Sequence, residues 1–453
     1  MKNSHNQEWL SSKDKEYVWH PFTQMRDWEA EEPLVIERGK GSYLYDILGK
    51  KYLDGVSSLW VNVHGHRKSE IDKAIIRQIK KLSHSTFLGL THPTAIELAL
   101  MLADITPAGL KRVFYSDNGS TAVEIAVKMA YQYWRHKGRP GRDKFLCLNE
   151  AYHGDTIGSV SVGGMELFHE IFRPLLFKTI KAPAPSCYRC ELGLKRPSCK
   201  MACAGELEKL IRVHTDELAG MVLEPLVQGA AGMLVHPEGY LKEVRRLCDK
   251  YGLLMIADEV ATGFGRTGRM FACSHEGVSP DIICLAKGIT GGYLPLAATV
   301  TTEGIYEAFL GDYSEFKTFF HGHTYTANPL ACAAAIANLK LFEKENTLRK
   351  MADNDGIFDA GLAKVAKLPH VGEVRRKGYM VGIELVRDKG TREPYPLPEK
   401  RGVRAIMEAR RLGAILRPLG NVVVLMPPLS ISAPELKKLL SITLKSIKKA
   451  TGE

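Results

Sequence analysis

The 453-residue chain lacks long apolar runs: none approaches the roughly 18 to 20 consecutive apolar residues that cross a bilayer. Its N-terminus, MKNSHNQEWLSSKDKEY, also lacks an apolar core of signal-peptide length. Hydrophobic residues make up 45% of the chain and charged residues 25%, which is typical of a globular protein and not of a disordered one. We therefore expect a cytoplasmic protein with a large core.

Cysteine is scarce, with nine residues, and most of them lie in apolar segments, as Cys147 and Cys284 do. This usage is typical of buried thiols in a reducing compartment. One cluster differs because its C-x2-C and C-x3-C spacing, in a Pro- and Lys-rich stretch, is compatible with structural zinc. Its members are Cys187, Cys190, Cys199 and Cys203. No histidine or second motif supports zinc, so we expect free thiols and no metal.

A strong charge imbalance of one sign exists, but it is spread along the chain. Lys and Arg number 62 against 51 Asp and Glu, giving a net charge of +11 and a pI near 9.0. The one basic cluster, KKLLSITLKSIKKA near the C-terminus, has the spacing of the solvated face of a last helix. No nucleic-acid motif accompanies it, so we expect small anionic ligands and no nucleic acid.

Two short apolar runs each end in one reactive side chain. Leu253 to Ala257 precedes Asp258, and Ile282 to Ala286 precedes Lys287. Both runs are typical of buried parallel strands, whose carboxyl ends share one edge of a sheet. A lysine and a carboxylate in one crevice suit pyridoxal phosphate catalysis, in which lysine holds the cofactor aldehyde and an acid keeps the ring nitrogen protonated. The alternative is a solvated ion pair.

From Arg112 onwards, strand-like and helix-like segments alternate, which predicts a doubly wound, mostly parallel α/β sheet. The loop from Ser116 to Thr121 puts Gly119 and Ser120 at the start of an amphipathic helix. Free backbone N–H groups there favour a phosphate, although an ordinary helix cap is the equally good alternative.

Other predicted strand ends also carry polar residues: Tyr152 and His153 follow one strand, and Glu224 follows another. Further along, Arg417 lies in LRPLG, where we expect a loop. Its guanidinium could clamp a carboxylate, and a plain surface arginine is the alternative.

The stretch GFGRTG, from Gly263 to Gly268, matches the dinucleotide-binding pattern in form only. Its glycines begin several residues after the strand, no amphipathic helix follows, and no acidic residue ends a second strand about 20 residues on. We interpret it as a tight turn beside Asp258.

The chain divides into three segments by pattern. Residues 1–65 contain WHPFTQM and then strand-like runs, which predicts a small β-rich opening; 66–339 carry the large alternating domain; and 340–453 shift to charged helices with an αβ pattern. We expect the first and last segments to form one smaller α+β domain.

Six motifs together resemble one family over nearly the full length of the chain. They are WHPFTQM, SSLWVNVHGH, YSDNGSTAVEIAVKMA, YHGDT, DEVATGFGRTG and KGITGGYLPLAAT. The chain is similar in all of them to the class III pyridoxal phosphate aminotransferases, which have fold type I. The resemblance implies pyridoxal 5'-phosphate as cofactor and a homodimer with active sites at its interface.

The resemblance also implies roles for individual residues. Lys287 would be the catalytic residue, holding the cofactor aldehyde and moving the proton, while Asp258 would pair with the ring nitrogen. Val260 and Tyr152 would cover the two faces of the ring. The other cofactor-binding residues would be Gly119, Ser120, His323 and Thr324, of which Thr324 would come from the partner subunit. Substrate would contact Tyr152 and Lys287 and also Trp60, Gly322, Arg417 and Phe22, with Arg417 on its carboxylate.

Within the family, the motifs most resemble members that act in biotin biosynthesis. This implies transamination of 8-amino-7-oxononanoate to 7,8-diaminononanoate, with S-adenosylmethionine as the expected amino donor. Phe22 stands where such members have Tyr, and Leu59 with Trp60 replaces a pair of tryptophans, so lysine remains the alternative donor. Other ω-aminotransferases, acting on ornithine, 4-aminobutyrate or a diamine, share the cofactor residues but not WHPFTQM. A decarboxylase or aminomutase on the same scaffold, or a basic nucleic-acid-binding protein, would be a more distant alternative.

Overall fold

A computed structural model describes residues 6–452, and a seven-stranded sheet lies at its centre. Five neighbouring strands run parallel, whereas Ala297–Thr302 runs antiparallel to the strand on each side of it. In spatial order the strands are Leu110–Ser116, Ala297–Thr302, Ile282–Leu285, Leu254–Asp258, Leu218–Leu223, Lys144–Leu148 and Ile180–Ala182. The predicted doubly wound, mostly parallel sheet is confirmed.

Alternate residues of the central strand, Leu254–Asp258, enter two different cores. Leu254 and Ile256 pack in the core that contains the helix Gly119–His136, while Met255 and Ala257 belong to the larger core on the opposite face. Because helices cover both faces, strands in this sheet are continuous apolar runs rather than alternating ones.

The helices and short pairings of this part of the chain follow its alternating pattern. The α-helices are Ser69–Ile79, Pro93–Ile105, Gly119–His136, Ile157–Ser161, Glu166–His169, Ala202–Val213, Tyr240–Tyr251, Glu303–Glu307 and Pro329–Lys344. The 3₁₀ turns are Glu170–Leu175, Ala272–His275, Lys287–Thr290 and Tyr313–Glu315. Val227–Gln228 pairs with Leu234–Val235 in a two-stranded ribbon.

Residues from both ends of the chain share a four-stranded sheet. Ile36–Lys40, Tyr43–Asp46 and Lys51–Asp54 form an antiparallel meander, and Ala414–Ile415 pairs in parallel with its last strand. A second sheet contains Val371–Lys377, Met380–Asp388, Val422–Leu425 and Arg417–Leu419, with Glu393–Pro394 paired to Met380–Asp388. Around them lie the helical segments Gln7–Tyr17, Met25–Ala30, Ser57–Trp60, Thr347–Asp353, Asp355–Ala366, Leu397–Glu399, Arg401–Arg411 and Ala433–Thr451. The domain boundaries at 65/66 and 339/340 stay a prediction.

Two expectations about local structure need correction. The opening is not simply β-rich, because the helix Gln7–Tyr17, capped by the Asn6 side chain, precedes the strands. Arg417 does not lie in a loop, because Arg417–Leu419 forms an antiparallel pair with Val422–Leu425. The Pro and Gly of LRPLG suggested a loop, but this strand is at the edge of its sheet, where proline is tolerated.

The cysteine-rich excursion folds around one small cavity. The cavity has a volume of about 20 Å³, and its lining includes Cys187, Cys190, Cys199 and Cys203. All four are free thiols, and burial raises the pKa of Cys187 and of Cys203. Within residues 6–452, no three His, Cys, Asp or Glu side chains are grouped so that they could hold a metal ion. In the same range, no helix combines the length and the apolar character that a membrane span requires.

Candidate active site

The structure brings the predicted reactive side chains into one cavity of about 460 Å³. Asp258 ends the strand Leu254–Asp258, and Lys287 follows the neighbouring parallel strand Ile282–Leu285. Of the residues expected from the sequence, those that line the cavity are Trp60, Gly119, Ser120, Tyr152, Asp258, Val260 and Lys287. The strand ends of the sheet therefore meet as the pattern of apolar runs predicts.

Asp258 is held in a fixed orientation by two neighbours. Its Oδ2 lies 2.7 Å from Nδ1 of His153, and its Oδ1 accepts the backbone N–H of Val260 at 3.0 Å. Both the Asp258 and His153 side chains are buried. A histidine bonded to a carboxylate through one ring nitrogen fixes the geometry of that carboxylate. The sequence indicated His153 only as part of a polar loop and gave it no partner.

Lys287 is half-buried, and its backbone has a φ of +48° at the start of a short turn. The turn is held from a distant helix, because Asn338 Nδ2 donates to the carbonyls of Gly288 at 2.9 Å and of Ile289 at 3.1 Å. Gly288 also packs tightly, since an added Cβ would lie 2.8 Å from Cβ of Phe264. Sequence reasoning gave no role to Asn338.

The electrostatic surroundings of Lys287 favour its neutral amine. Burial lowers the pKa of Lys287; the carboxylates of Asp258 and Glu224 oppose this shift, and the guanidiniums of Arg266 and Arg417 add to it. The Nζ atom lies 4.8 Å from the centre of the Trp60 ring. A neutral amine in such a pocket can act as a nucleophile and as a base.

A helix N-terminus forms one wall of the cavity. The Asn118 side chain caps the helix Gly119–His136 by accepting the N–H of Thr121 at 3.1 Å. Gly119 lies against Val260, whose Cγ1 would be 2.6 Å from an added Cβ. The absence of a side chain at Gly119 keeps the backbone accessible, and the terminus of an 18-residue helix favours an anion. The cap is therefore observed, and the phosphate site at this helix terminus stays a prediction.

Tyr152 and Glu224 both line the cavity and are joined by a hydrogen bond. Glu224 Oε1 accepts the backbone N–H of Tyr152 at 3.1 Å, and its Oε2 accepts that of Gly229 at 2.8 Å. Complete burial raises the pKa of Glu224 to about 7, with the charge of Asp258 adding to the shift. The Tyr152 hydroxyl donates to Asp155 at 2.7 Å, and burial together with this bond raises the Tyr152 pKa.

Arg417 is part-buried and does not line the cavity, but its charge acts on two residues that do, Tyr152 and Lys287. Its pKa is lowered by burial, and its Nε has no hydrogen-bond partner within residues 6–452. The same charge contributes to the pKa shifts of Tyr152 and Lys287. Arg417 is thus a cation whose charge is felt in the cavity, and a guanidinium can pair with a carboxylate.

The remaining expected residues lie outside this cavity. Gly322 and Thr324 are exposed, and Phe22 is 60% exposed in a separate groove, where its ring meets that of Phe168 at 5.4 Å. His323 Nδ1 lies 2.6 Å from Oδ2 of Asp117, which lines the cavity. The roles of these four residues stay predictions, as do the roles of Arg417 and of the residues that line the cavity.

Comparison with known proteins matches nearly the whole chain. The sequence model of the family described as Aminotransferase class-III matches residues 25–447. Proteins named adenosylmethionine-8-amino-7-oxononanoate aminotransferase are 56% identical in Geobacter sulfurreducens, over 97% of each chain, and 52% identical in Aquifex aeolicus, over 98% of each. The crystal structure of the protein of that name from Methanocaldococcus jannaschii superposes with a TM-score of 0.93 at 49% identity, covering 98% of this chain and 99% of the other. An (S)-enantioselective omega-transaminase from Thermomicrobium roseum gives the same TM-score at 37% identity, with the same coverage.

Proposed function

The chain belongs to the class-III aminotransferases, and on this premise we propose that it transfers an amino group to the ketone of 8-amino-7-oxononanoate. The product is 7,8-diaminononanoate, a step of biotin biosynthesis, and the amino donor is S-adenosylmethionine. The observation that carries this proposal is the buried amine of Lys287 in one cavity with the Asp258–His153 pair. Relatives at 49–59% identity that carry the name of this reaction support the choice of substrates.

The cofactor is pyridoxal 5'-phosphate, and the cavity has the groups that this molecule needs. The helix N-terminus at Gly119 suits its phosphate, Asp258 suits its ring nitrogen, and the amine of Lys287, whose pKa is lowered by burial, suits its aldehyde carbon. We propose that Gly119 and Ser120 bind the phosphate and that Val260 and Tyr152 cover the ring. When bound, the cofactor supplies a protonated ring that withdraws electrons from the carbon gaining or losing the amino group.

We assign separate roles in the reaction to three residues of the chain. Asp258, held in position by His153, would provide the carboxylate that pairs with the ring nitrogen of the cofactor. The amine of Lys287 would move a proton away from the donor carbon in the first half of the reaction and onto the acceptor carbon in the second. Arg417 binds the carboxylate of the acceptor, and the cavity walls exclude water.

The homodimer and the cytoplasmic location are part of the same proposal. Large apolar side chains are exposed on two stretches of the surface: Leu88 (90%) and Leu100 (68%), and Phe320 (74%) and Tyr325 (61%). The rings of His84 and Tyr325, 4.9 Å apart, join these two stretches. Thr324 lies in the second stretch, from which we propose that it reaches the phosphate in the partner subunit. Sedimentation should give about twice the chain mass of 50.3 kDa.

The test of the proposed function is a comparison of donors. The holoenzyme is incubated with 8-amino-7-oxononanoate and one donor at a time (S-adenosylmethionine, lysine, ornithine or 4-aminobutyrate), and 7,8-diaminononanoate is measured by mass spectrometry. We expect the product with S-adenosylmethionine at a rate at least about tenfold above the other donors. Formation of 7,8-diaminononanoate with lysine but not with S-adenosylmethionine would contradict the proposed amino donor. Transamination of ornithine or 4-aminobutyrate with no diaminononanoate from any donor would overturn the acceptor.

A further inference from the structure

Four consecutive residues beside the cavity have a left-handed backbone. The φ angles of Ser57, Ser58, Leu59 and Trp60 are +50°, +56°, +108° and +68°. None of them is glycine, the residue that adopts such angles readily. A run of this kind persists only where the surrounding structure holds it in place.

Asp54 holds this turn through hydrogen bonds to Ser58. It ends the strand Lys51–Asp54, and its side chain is fully buried. Its Oδ1 accepts the backbone N–H of Ser58 at 2.9 Å, and its Oδ2 accepts the Ser58 hydroxyl at 2.8 Å. The same Oδ2 lies 2.9 Å from Nε2 of His66, beyond the far end of the turn. One carboxylate therefore binds both the turn and the segment that leaves it.

Further hydrogen bonds tie the turn to the segments flanking Arg417. The Ser57 hydroxyl donates to the carbonyl of Met426 at 2.6 Å, and the N–H of Gly55 donates to that of Ile415 at 2.9 Å. Ile415 and Met426 lie on either side of the hairpin that Arg417 begins. The buried Arg266, in GFGRTG, donates to the carbonyls of Asn62 at 2.6 Å and Pro427 at 2.8 Å.

The turn carries Trp60 into the cavity. The indole is buried and its ring centre lies 4.8 Å from Nζ of Lys287. It packs on Gly229, where an added Cβ would come within 3.2 Å of Cζ3. Its Nε1 is buried without a hydrogen-bond partner in the part of the chain that the structure describes. The turn thus makes the indole ring part of the cavity wall beside Lys287, while the indole N–H stays buried.

We propose that Asp54 is a positioning residue for the amino acceptor, because it fixes the left-handed turn that sets Trp60 over Lys287 and in register with Arg417. This inference rests on the proposed function and names a further determinant of affinity at the same site. A purely structural Asp54 would stabilise the fold without changing how the acceptor binds.

The chain offers a matched control in Asp46. This aspartate is also buried at the end of a strand of the same sheet, and it accepts the N–H groups of Leu48 at 3.0 Å and Lys50 at 2.8 Å and the hydroxyl of Tyr52 at 2.8 Å. It does not line the cavity. Asp54→Asn and Asp46→Asn therefore remove comparable buried carboxylates, only one of which holds the Trp60 turn.

The experiment measures the dissociation constant of 8-amino-7-oxononanoate for each holoenzyme by calorimetry without an amino donor, so that no turnover is needed. We expect both variants to lower Tm by about 2 to 4 °C. Asp54→Asn should weaken acceptor binding about tenfold, with kcat changed less than about threefold, and Asp46→Asn should leave binding unchanged. Equal weakening by the two variants would overturn the proposal.

A double-mutant cycle separates positioning from folding. In a Trp60→Ala background, Asp54→Asn should change the dissociation constant less than about twofold while its effect on Tm persists. A full tenfold effect in that background would show that Asp54 acts without Trp60 and would overturn the proposal.

The experiment also distinguishes a wrong choice of acceptor from a wrong role for Asp54. If the wild-type holoenzyme does not bind 8-amino-7-oxononanoate, the proposed function falls, and the visible circular dichroism of the bound cofactor decides on Asp54. A change in that signal with Asp54→Asn but not with Asp46→Asn supports the positioning role. The same signal in both variants and in the wild type would overturn it.

Discussion

Nδ1 of His153 lies 2.7 Å from Oδ2 of Asp258, and both side chains are buried. The two residues are 105 positions apart in the chain and meet because their strands end at the same edge of the sheet. A buried carboxylate is costly unless it is paired and hydrogen-bonded. His153 supplies that partner and fixes the position of the Asp258 carboxylate in the cavity.

The first prediction concerns this pair. Asp258→Asn should lower kcat/KM by about a thousandfold or more, because it removes the charge opposite the ring nitrogen. His153→Phe should lower kcat/KM about tenfold to a hundredfold, as expected for the loss of one hydrogen bond to a carboxylate. Steady-state kinetics at full cofactor occupancy measure both. His236→Phe, at a buried histidine outside the cavity, is the control, and an equal loss there would refute a special role for His153.

Lys287→Ala should abolish turnover, by more than about 10⁴-fold, while the protein stays folded and binds cofactor reversibly. Because burial lowers the pKa of Lys287, the neutral base persists to lower pH than in an ordinary lysine, whose pKa is 10.5. The acid limb of the pH profile of kcat should therefore lie below pH 10.5. Measurable turnover in Lys287→Ala, or an acid limb at the ordinary lysine value, would contradict the assigned role.

Arg417→Ala should raise KM for the acceptor acid about tenfold to a hundredfold, with a smaller change in kcat, because a charge-assisted bond to the carboxylate is lost. Arg417→Lys should recover only part of this, since an ammonium group cannot make the two-point contact. The control is Arg112→Ala, which removes an exposed guanidinium paired with Glu303. If the acceptor KM were the same in both alanine variants, the carboxylate would bind elsewhere.

Much of the site could be predicted because the relevant signals are local. The runs before Asp258 and Lys287 are short and wholly apolar, since their strands are buried on both faces, and the cap of the helix at Gly119 lies in adjacent residues. Arg417 was assigned to a loop because its strand depends on pairing with Val422–Leu425 at a sheet edge.

Other features depend on contacts between residues far apart in the chain. Asn338 holds the turn at Gly288 from 50 residues away. Ser57 donates to Met426 across 369 residues, and no propensity of four non-glycine residues predicts a left-handed turn. Periodicity reports which side chains are buried, but it does not report which hydrogen bonds they make once buried.

A prediction about stability follows from His236. Its ring is buried, and neither ring nitrogen has a hydrogen-bond partner within residues 6–452. Burial lowers the pKa of His236 to about 3 from an ordinary 6.5. The folded state therefore binds this proton less readily than the unfolded state, and the resulting stability, present above pH 6.5, is lost as the pH falls towards 3.

At pH 5 this loss should amount to about 2 kcal/mol, at about 1.4 kcal/mol per pH unit below 6.5. When the pH falls from 7.5 to 5, the unfolding free energy of the wild type should therefore fall by about 2 kcal/mol more than that of His236→Phe. Urea unfolding at both pH values measures the difference. Parallel losses in the two proteins would mean that His236 does not contribute to acid sensitivity.

The most direct test of the central claim follows the visible absorption band of the purified holoenzyme through both halves of the reaction. We expect S-adenosylmethionine alone to discharge the band, and 8-amino-7-oxononanoate then to restore it as one equivalent of 7,8-diaminononanoate appears. A band that S-adenosylmethionine leaves intact but lysine discharges would contradict the donor. A discharged band that 8-amino-7-oxononanoate does not restore would contradict the proposed transamination itself.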